Sequence, residues 1–279
     1  MAEIASGYVD DILIGTRRDN QTDSTKDLIL KHDREVRLVM EQLLKHRLVA
    51  SYNKAQLFRA VVEFCGHMLS GGVRKPAPGK LLAVERWVRP TTITALRGFL
   101  GFANYYSSYV RGYAGIVAPL QDLLKVSKGD GKKGSQLKVV WCAEAETAFE
   151  STKVALCEAL ELQTVNADLP FVLRVDASGR AMGAALEQSV DGRVLKVEEM
   201  LQPGTTKPVA FMSRKFTSGQ FKGWDARDKE AHEVVAALDK WESWIGTNPL
   251  TVLTDHQALR YWVTEVLTCE SGLSGRRAR

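Results

Sequence analysis

Three acidic residues carry the strongest chemical signal in this sequence. Asp176 closes the run FVLRVD, Asp255 closes LTVLTD, and Glu230 lies in DKEAHEVVAAL, early in a long amphipathic stretch. Acids at strand ends, with one in the first turns of a helix, can converge at one edge of a sheet although they are far apart in sequence. Three carboxylates brought together repel one another, and a divalent cation relieves that repulsion. Hard oxygen ligands suit magnesium or manganese. Two such ions side by side activate water and stabilise the leaving oxygen of a phosphodiester, so the trio points to phosphoryl chemistry on a nucleic acid. Spacing alone does not separate it from the structural aspartates that any soluble protein holds.

A second acidic feature stands in the stretch GYVDDILIG. Asp10 and Asp11 interrupt a run of residues suited to a β-strand, where aspartate is disfavoured. A tight turn there would offer a carboxylate to a metal, although Asp11 can equally serve to hold the turn between two strands.

The elements that must position these acids are legible as periodicities. In the first segment, to about Arg74, a strand pair around YVDD leads into a helix from Thr25 through Arg47. Its apolar residues are Leu28, Val36, Val39, Met40, Leu43 and Leu44, and Asp23 or Ser24 can cap it. Short strands are expected around Leu57 to Phe58 and from Val61 to Leu69, stopped by Ser70-Gly71-Gly72. Residues from Pro76 to about Lys125 read as helical. Thr91 or Thr92 caps TALRGFLGFANYYSSYV, whose Leu96, Phe99, Leu100, Phe102, Ala103, Tyr106 and Tyr109 form a broad apolar face, and Pro119 opens a short helix PLQDLLK. The aromatic stripe reads as core.

KGDGKKGSQ, residues 128–136, lacks apolar periodicity and reads as a linker, which puts a domain boundary at 128–138. From about Val139 the pattern switches. AEAETAFESTKVALCEAL is an amphipathic helix with Ala148, Phe149, Leu156 and Leu160 inward. FVLRVDAS, AMGAALEQ and PVAFMSRKF are antiparallel strands separated by turns containing Gly179 and Gly192. A helix from Asp225 to Ile245 turns Ala231, Val234, Val235, Leu238, Trp241 and Ile245 to the sheet, and the strand LTVLTD and a helix QALRYWV follow. The order predicts a mixed sheet with flanking helices, of mixed α+β or α/β class. Trp141 and Trp224 read as core aromatics and His67 as structural. His256 reads as satisfied by local hydrogen bonds, with proton transfer as its functional alternative.

Of 279 residues, 45% are apolar and 25% charged, an ordinary globular composition. The net charge of +5 is compatible with a polyanionic partner and does not require one. The basic residues gather between Lys125 and Lys138 and in the terminal RRAR. Cys65, Cys142, Cys157 and Cys269 show no ligand spacing, which argues against a zinc site and a disulfide framework. No apolar run reaches the roughly 20 residues of a membrane span, and no signal peptide precedes the first motif. The expectation is a soluble intracellular protein in a reducing compartment.

FVLRVDASGRAMGAALEQ, PVAFMSRKFT, DKEAHEVVAAL and LTVLTDHQAL, in this order, resemble the ribonuclease H domain of gypsy-type LTR retrotransposon Pol polyproteins. Upstream, YVDDILIG, VEFCGHMLSGGVR and RPTTITALRGFLGFANYYSSYV followed by APLQDLL look like the palm, primer-grip region and thumb of the same polyprotein's reverse transcriptase. The resemblance is collinear over nearly the whole chain. It implies part of a palm over 1–74, thumb-like helices over 75–127 and a ribonuclease H-like domain over 139–279. It also implies RNA-directed DNA polymerase and hybrid-ribonuclease ancestry, Mg2+ or Mn2+ as cofactor, and an RNA/DNA hybrid or template-primer as partner. On matching positions it makes Asp176, Glu230 and Asp255 the metal ligands of the ribonuclease H site. Asp10 becomes a metal ligand of the polymerase site with Asp11 beside it, Tyr8 lies near the primer or incoming nucleotide, and Lys54 lies near the triphosphate.

The family's polymerase site also uses a third aspartate on an upstream strand and a fingers subdomain, and neither precedes Gly7. Its ribonuclease H fold runs past the TDH strand to a further helix and a fourth carboxylate, whereas Glu265 and Glu270 stand in no matching motif. A chain read in this way, as truncated at both ends, is expected not to polymerise DNA by itself and to have low or absent nuclease activity. The alternative is a non-catalytic retroelement remnant that at most binds nucleic acid. The order Asp, Glu, Asp argues against transposases and integrases of the related fold, which use Asp, Asp, Glu.

Overall fold

The structure, a computed structural model, describes residues 4–17, 24–126, 137–177, 181–216 and 226–254, with the backbone alone at residues 176, 177, 226 and 227. Cα packing divides the chain into two compact units, Met1–Ala77 and Pro78–Arg279. No helix among the described residues is long and apolar enough to cross a membrane.

In the first unit, β1 (Ala5–Tyr8) and β2 (Asp11–Ile14) form an antiparallel hairpin. Helix α1 (Thr25–Lys45) follows. Of the two cap candidates Ser24 is the one used: its side chain accepts from the Asp27 N–H at 3.2 Å, and Asp27 Oδ2 accepts from the Ser24 N–H at 3.2 Å. Val36 and Val39 are buried on its inner face, together with Glu35, an acid that apolar periodicity does not flag.

The strands expected after α1 are corrected in two ways. Leu57 and Phe58 form no strand, because Phe58 takes a φ of 55° and its ring packs edge-on against His32 at 5.1 Å. The run from Val61 to Leu69 is two strands, β3 (Val61–Phe64) and β4 (His67–Ser70), since Cys65 and Gly66 take φ values of 49° and 76° and so make a two-residue hairpin turn. A third strand, β5 (Val73–Pro76), completes this antiparallel meander and lies beyond Gly72, where the sequence predicts no strand.

The second unit opens with α2 (Pro78–Glu85), α3 (Ile93–Tyr105) and α4 (Tyr113–Val126), followed by α5 (Ala143–Cys157). Thr92 is the cap of α3, its hydroxyl accepting from the Ala95 N–H at 3.2 Å. Pro119 does not open a helix; it sits inside α4, whose buried Val117 and Leu120 carry the apolar stripe across it. The expected linker at 128–136 lies outside the described residues.

After a short strand β6 (Leu162–Gln163) come β7 (Phe171–Ala177), β8 (Ala181–Ser189), a turn of helix α6 (Val197–Met200), β9 (Thr206–Lys215), helix α7 (Ala226–Ile245) and β10 (Leu250–Leu253). The sheet order is β10-β7-β8-β9, with β10 parallel to β7 and the other pairs antiparallel. This is the mixed sheet that the alternating patterns predict.

Strand periodicity sends alternate residues to opposite faces, and here both faces are covered. Phe171, Leu173, Val175, Ala184, Leu186, Ala210 and Met212 pack against Ala236, Ala237, Trp241 and Ile245 of α7. Ala185 and Phe211, register partners on the other face, join Tyr106, Tyr109, Tyr113, Val117 and Leu156 of the α3, α4 and α5 region. The aromatic stripe is core, as expected. Two inward assignments are corrected: Leu160 lies past the end of α5 and is half-exposed, and Val235 faces outward while Glu233, Ala236 and Ala237 face in. The rest of the expected α7 stripe holds, with Val234, Leu238, Trp241 and Ile245 packed on the sheet.

Candidate functional site

The chemistry-bearing residues fall in both units. In the first, Tyr8 pairs with Asp11, so Val9 and Asp10 form the turn and Asp11 begins β2. Val9 takes a φ of 52° and is 90% exposed. A β-branched residue in the left-handed region is strained, and such outliers cluster at ligand-contacting turns. Tyr8, Asp10, Asp11 and Lys54, the last in a 3-10 turn at Tyr52–Lys54, are all exposed.

The exit of this hairpin is tied to α1. The Gly15 N–H donates to the Ile4 carbonyl at 3.1 Å, closing the base of the ribbon. The Thr16 hydroxyl donates to Glu35 Oε2 and lies 2.7 Å from His32 Nδ1, while Lys31 Nζ donates to the Arg17 carbonyl at 3.0 Å. Sequence reasoning missed Thr16, His32 and Glu35, since no short-range pattern links a strand exit to two positions on the next helix.

In the second unit the acids are placed by the sheet. The β7 backbone at Asp176 pairs with Gly183, and Gly183 pairs with Ser213. Ser213 Oγ accepts from the Ala114 N–H at the start of α4 at 2.8 Å. Parallel pairing sets Leu253 of β10 beside Arg174 of β7, and each is followed two positions later by an aspartate, Asp255 and Asp176. Glu230, near the start of α7, is 7% exposed, and its Oε2 accepts a hydrogen bond from Thr254 Oγ1 at 2.8 Å. The bond joins the start of α7 to the residue that directly follows β10.

Of the three candidate ligands, Glu230 is therefore seen with its side chain, Asp176 with its backbone, and Asp255 lies outside the described residues. Among the described residues no three His, Cys, Asp or Glu side chains gather as a metal-binding group. His256, Trp224, Glu265 and Glu270 also lie outside them. Two residues near this edge carry no apolar or motif signal that would have found them: Thr254, and Glu233, which is fully buried one turn after Glu230.

On the β7 face that carries Arg174, Arg174 Nε donates to Glu187 Oε2 at 2.8 Å and its other end reaches the Met200 carbonyl. Thr206 donates to the same Glu187 oxygen at 2.5 Å. This part-buried network braces β7, β8 and β9 two residues before Asp176. Trp141 is structural, as expected: its indole N–H donates to the Pro90 carbonyl at 2.9 Å and its ring packs on Phe149.

Comparison with known proteins places this geometry. Residues 166–277 match the family model of the RNase H-like domain found in reverse transcriptase. Over 269 residues the chain is 27% identical to the retrovirus-related Pol polyprotein from transposon gypsy of Drosophila melanogaster, covering 95% of this chain and 23% of that protein. It is 29% identical over 258 residues to the polyprotein from transposon opus of the same organism, covering 91% of this chain and 23% of that protein. The chain thus spans under a quarter of the length of these relatives. Among solved structures, the foamy viral protease-reverse transcriptase in complex with an RNA/DNA hybrid superposes with a TM-score of 0.71 at 22% identity, covering 96% of this chain and 34% of that one. A second foamy viral structure, the protease-reverse transcriptase dRH in complex with double-stranded DNA, gives a TM-score of 0.72 at 21% identity over 99% of this chain and 47% of that one. Residues 166–277 are thus similar to the RNase H-like domain found in reverse transcriptase, in a chain similar over most of its length to the Pol polyproteins of gypsy and related transposons.

Proposed function

We propose that this chain carries a magnesium-dependent ribonuclease site for the RNA strand of an RNA/DNA hybrid, with Asp176, Glu230 and Asp255 as its metal ligands. The observation that carries the reading is the bond from Thr254 to Glu230, set at the end of the strand that pairs in parallel with β7. It brings the start of α7 to the sheet edge toward which both aspartate-bearing strands run. The donor set is all oxygen, with its glutamate withdrawn from water and held by a neutral hydroxyl, and it fits a hard divalent cation rather than a soft one. When bound, a pair of such ions supplies an activated water and charge stabilisation at the leaving oxygen.

The residues of the chain hold and aim. Glu230 offers its carboxylate from a helix packed on the sheet, and Arg174 with Glu187 stiffens β7 just before Asp176. The foamy viral structure solved with an RNA/DNA hybrid shares this fold, which supports a hybrid as partner. Recognition would then rest on the A-form backbone and 2′-OH groups, and binding would weaken with salt. In the first unit Asp10 would act as a polymerase-site metal ligand with Asp11 beside it, and Tyr8 and Lys54 would lie near primer and nucleotide. The nuclease, whose glutamate is buried and held by Thr254, is the activity proposed for this chain.

A fluorogenic RNA/DNA hybrid tests the reading with magnesium and then manganese. Slow cleavage by the wild type is expected, lost in Asp176→Asn and in Glu230→Gln. Cleavage that survives either substitution sinks the assignment, and hybrid binding without cleavage under both ions indicates a non-catalytic binder instead.

A further inference from the structure

We propose that Thr254 is a positioning residue for Glu230, its hydroxyl holding one carboxylate oxygen and so fixing how the other is offered to a cation. The inference rests on the metal-site reading above and adds a residue that reading does not contain. The O–H···O distance of 2.8 Å is that of a well-formed hydrogen bond to a carboxylate. Glu230 is 7% exposed, so bulk water competes little for that oxygen.

A glutamate on a helix reaches its carboxylate through several rotatable bonds, and ordering such a side chain at the moment of ion binding costs conformational entropy. A donor anchored on a different element removes that freedom beforehand. Threonine suits the task because β-branching restricts its own χ1. It directly follows β10, whose pairing with β7 fixes its height along the sheet. Partners that orient metal-binding side chains typically change metal affinity by about 10- to 100-fold when removed.

The test uses the full chain as wild type, Glu230→Gln, Thr254→Val, Thr254→Ala and Thr254→Ser. Free Mn2+ is titrated by electron paramagnetic resonance, and the Glu230 carboxylate band is isolated in metal-free protein as the infrared difference between each Thr254 form and the same form carrying Glu230→Gln. Loss of the hydroxyl in the valine or alanine variant is expected to weaken Mn2+ binding by about 10-fold and to shift the band; serine is expected to restore both. The alanine variant decides the matter if valine impairs folding. Unchanged Mn2+ affinity together with an unmoved band in the hydroxyl-less variants overturns the proposal, as does failure of serine to restore them. If Mn2+ binding is indifferent to Glu230→Gln, the metal-site reading fails instead, and the band alone decides whether Thr254 orients this carboxylate: a shift upholds that part and an unmoved band overturns it.

Discussion

Glu35 is 8% exposed and accepts a hydrogen bond from the Thr16 hydroxyl, whose oxygen lies 2.7 Å from His32 Nδ1. A hydroxyl donates one hydrogen bond, and here Glu35 accepts it. Thr16→Val keeps the shape and removes a donor from a buried acid, which should lower the stability of the first unit by about 1–3 kcal/mol. Thr16→Ser should lose much less, and a urea titration of the two variants gives the comparison. Nothing in the sequence announces this cluster, because Thr16 and Glu35 are joined by packing of a strand exit on a helix rather than by periodicity. The same holds for Thr254, where the motif drew attention to the neighbouring aspartate. Glu230, by contrast, stands in DKEAHEVVAAL, a segment that the resemblance singles out, and it is buried with its carboxylate bonded to Thr254.

At the scale of elements, β4 puts His67 opposite Pro76 and leaves it partly buried. Burial, with the nearby Arg74 adding to it, holds the imidazole below its ordinary pKa. The folded state then binds fewer protons than the unfolded chain, whose histidine titrates near about 6.5. This contribution to stability is complete above that pH and is lost as the pH falls through it toward the lower folded value. The urea midpoint should therefore fall between about pH 7.5 and about pH 5.5, and by less in His67→Gln; an equal fall in both proteins would show that His67 is not the group responsible. The apolar strands β7, β8 and β9 are legible in the sequence to within a residue or two at their ends. The Cys65-Gly66 turn was not, because a cysteine with positive φ is a rare choice for a hairpin. Pro119 misled for the opposite reason: proline favours the first turn of a helix, yet the stripe through Val117 and Leu120 carries α4 past it.

For the whole molecule, the structure separates Met1–Ala77 from Pro78–Arg279, whereas composition suggests a boundary at 128–138. The difference has a physical source. Composition sees a Gly- and Lys-rich connection, but it cannot see that Ala185 and Phe211, on one face of the RNase H-like sheet, are buried beneath Tyr109, Tyr113 and Val117. Two polar contacts fasten the same surfaces, the Ala114 N–H to Ser213 and the Lys215 ammonium to Asp122 at 2.9 Å. A fragment beginning at residue 137 keeps α5 but loses α3 and α4, and so uncovers part of an apolar sheet face that α7 does not reach, since α7 packs on the other side. Burial of a single large side chain such as Phe211 is worth about 1.5–3 kcal/mol, and uncovering it together with Ala185 and the side of α5 that faces α4 leaves little margin within the usual 5–15 kcal/mol of a domain. The fragment 137–279 should therefore aggregate or show broad, non-cooperative melting, whereas 78–279 should melt cooperatively. Circular dichroism melts and size-exclusion chromatography of the two fragments would show it. A soluble, cooperatively folded 137–279 would mean that the helices from Pro78 to Val126 merely rest on a sheet able to stand without them, and that the boundary read from composition is the true domain edge.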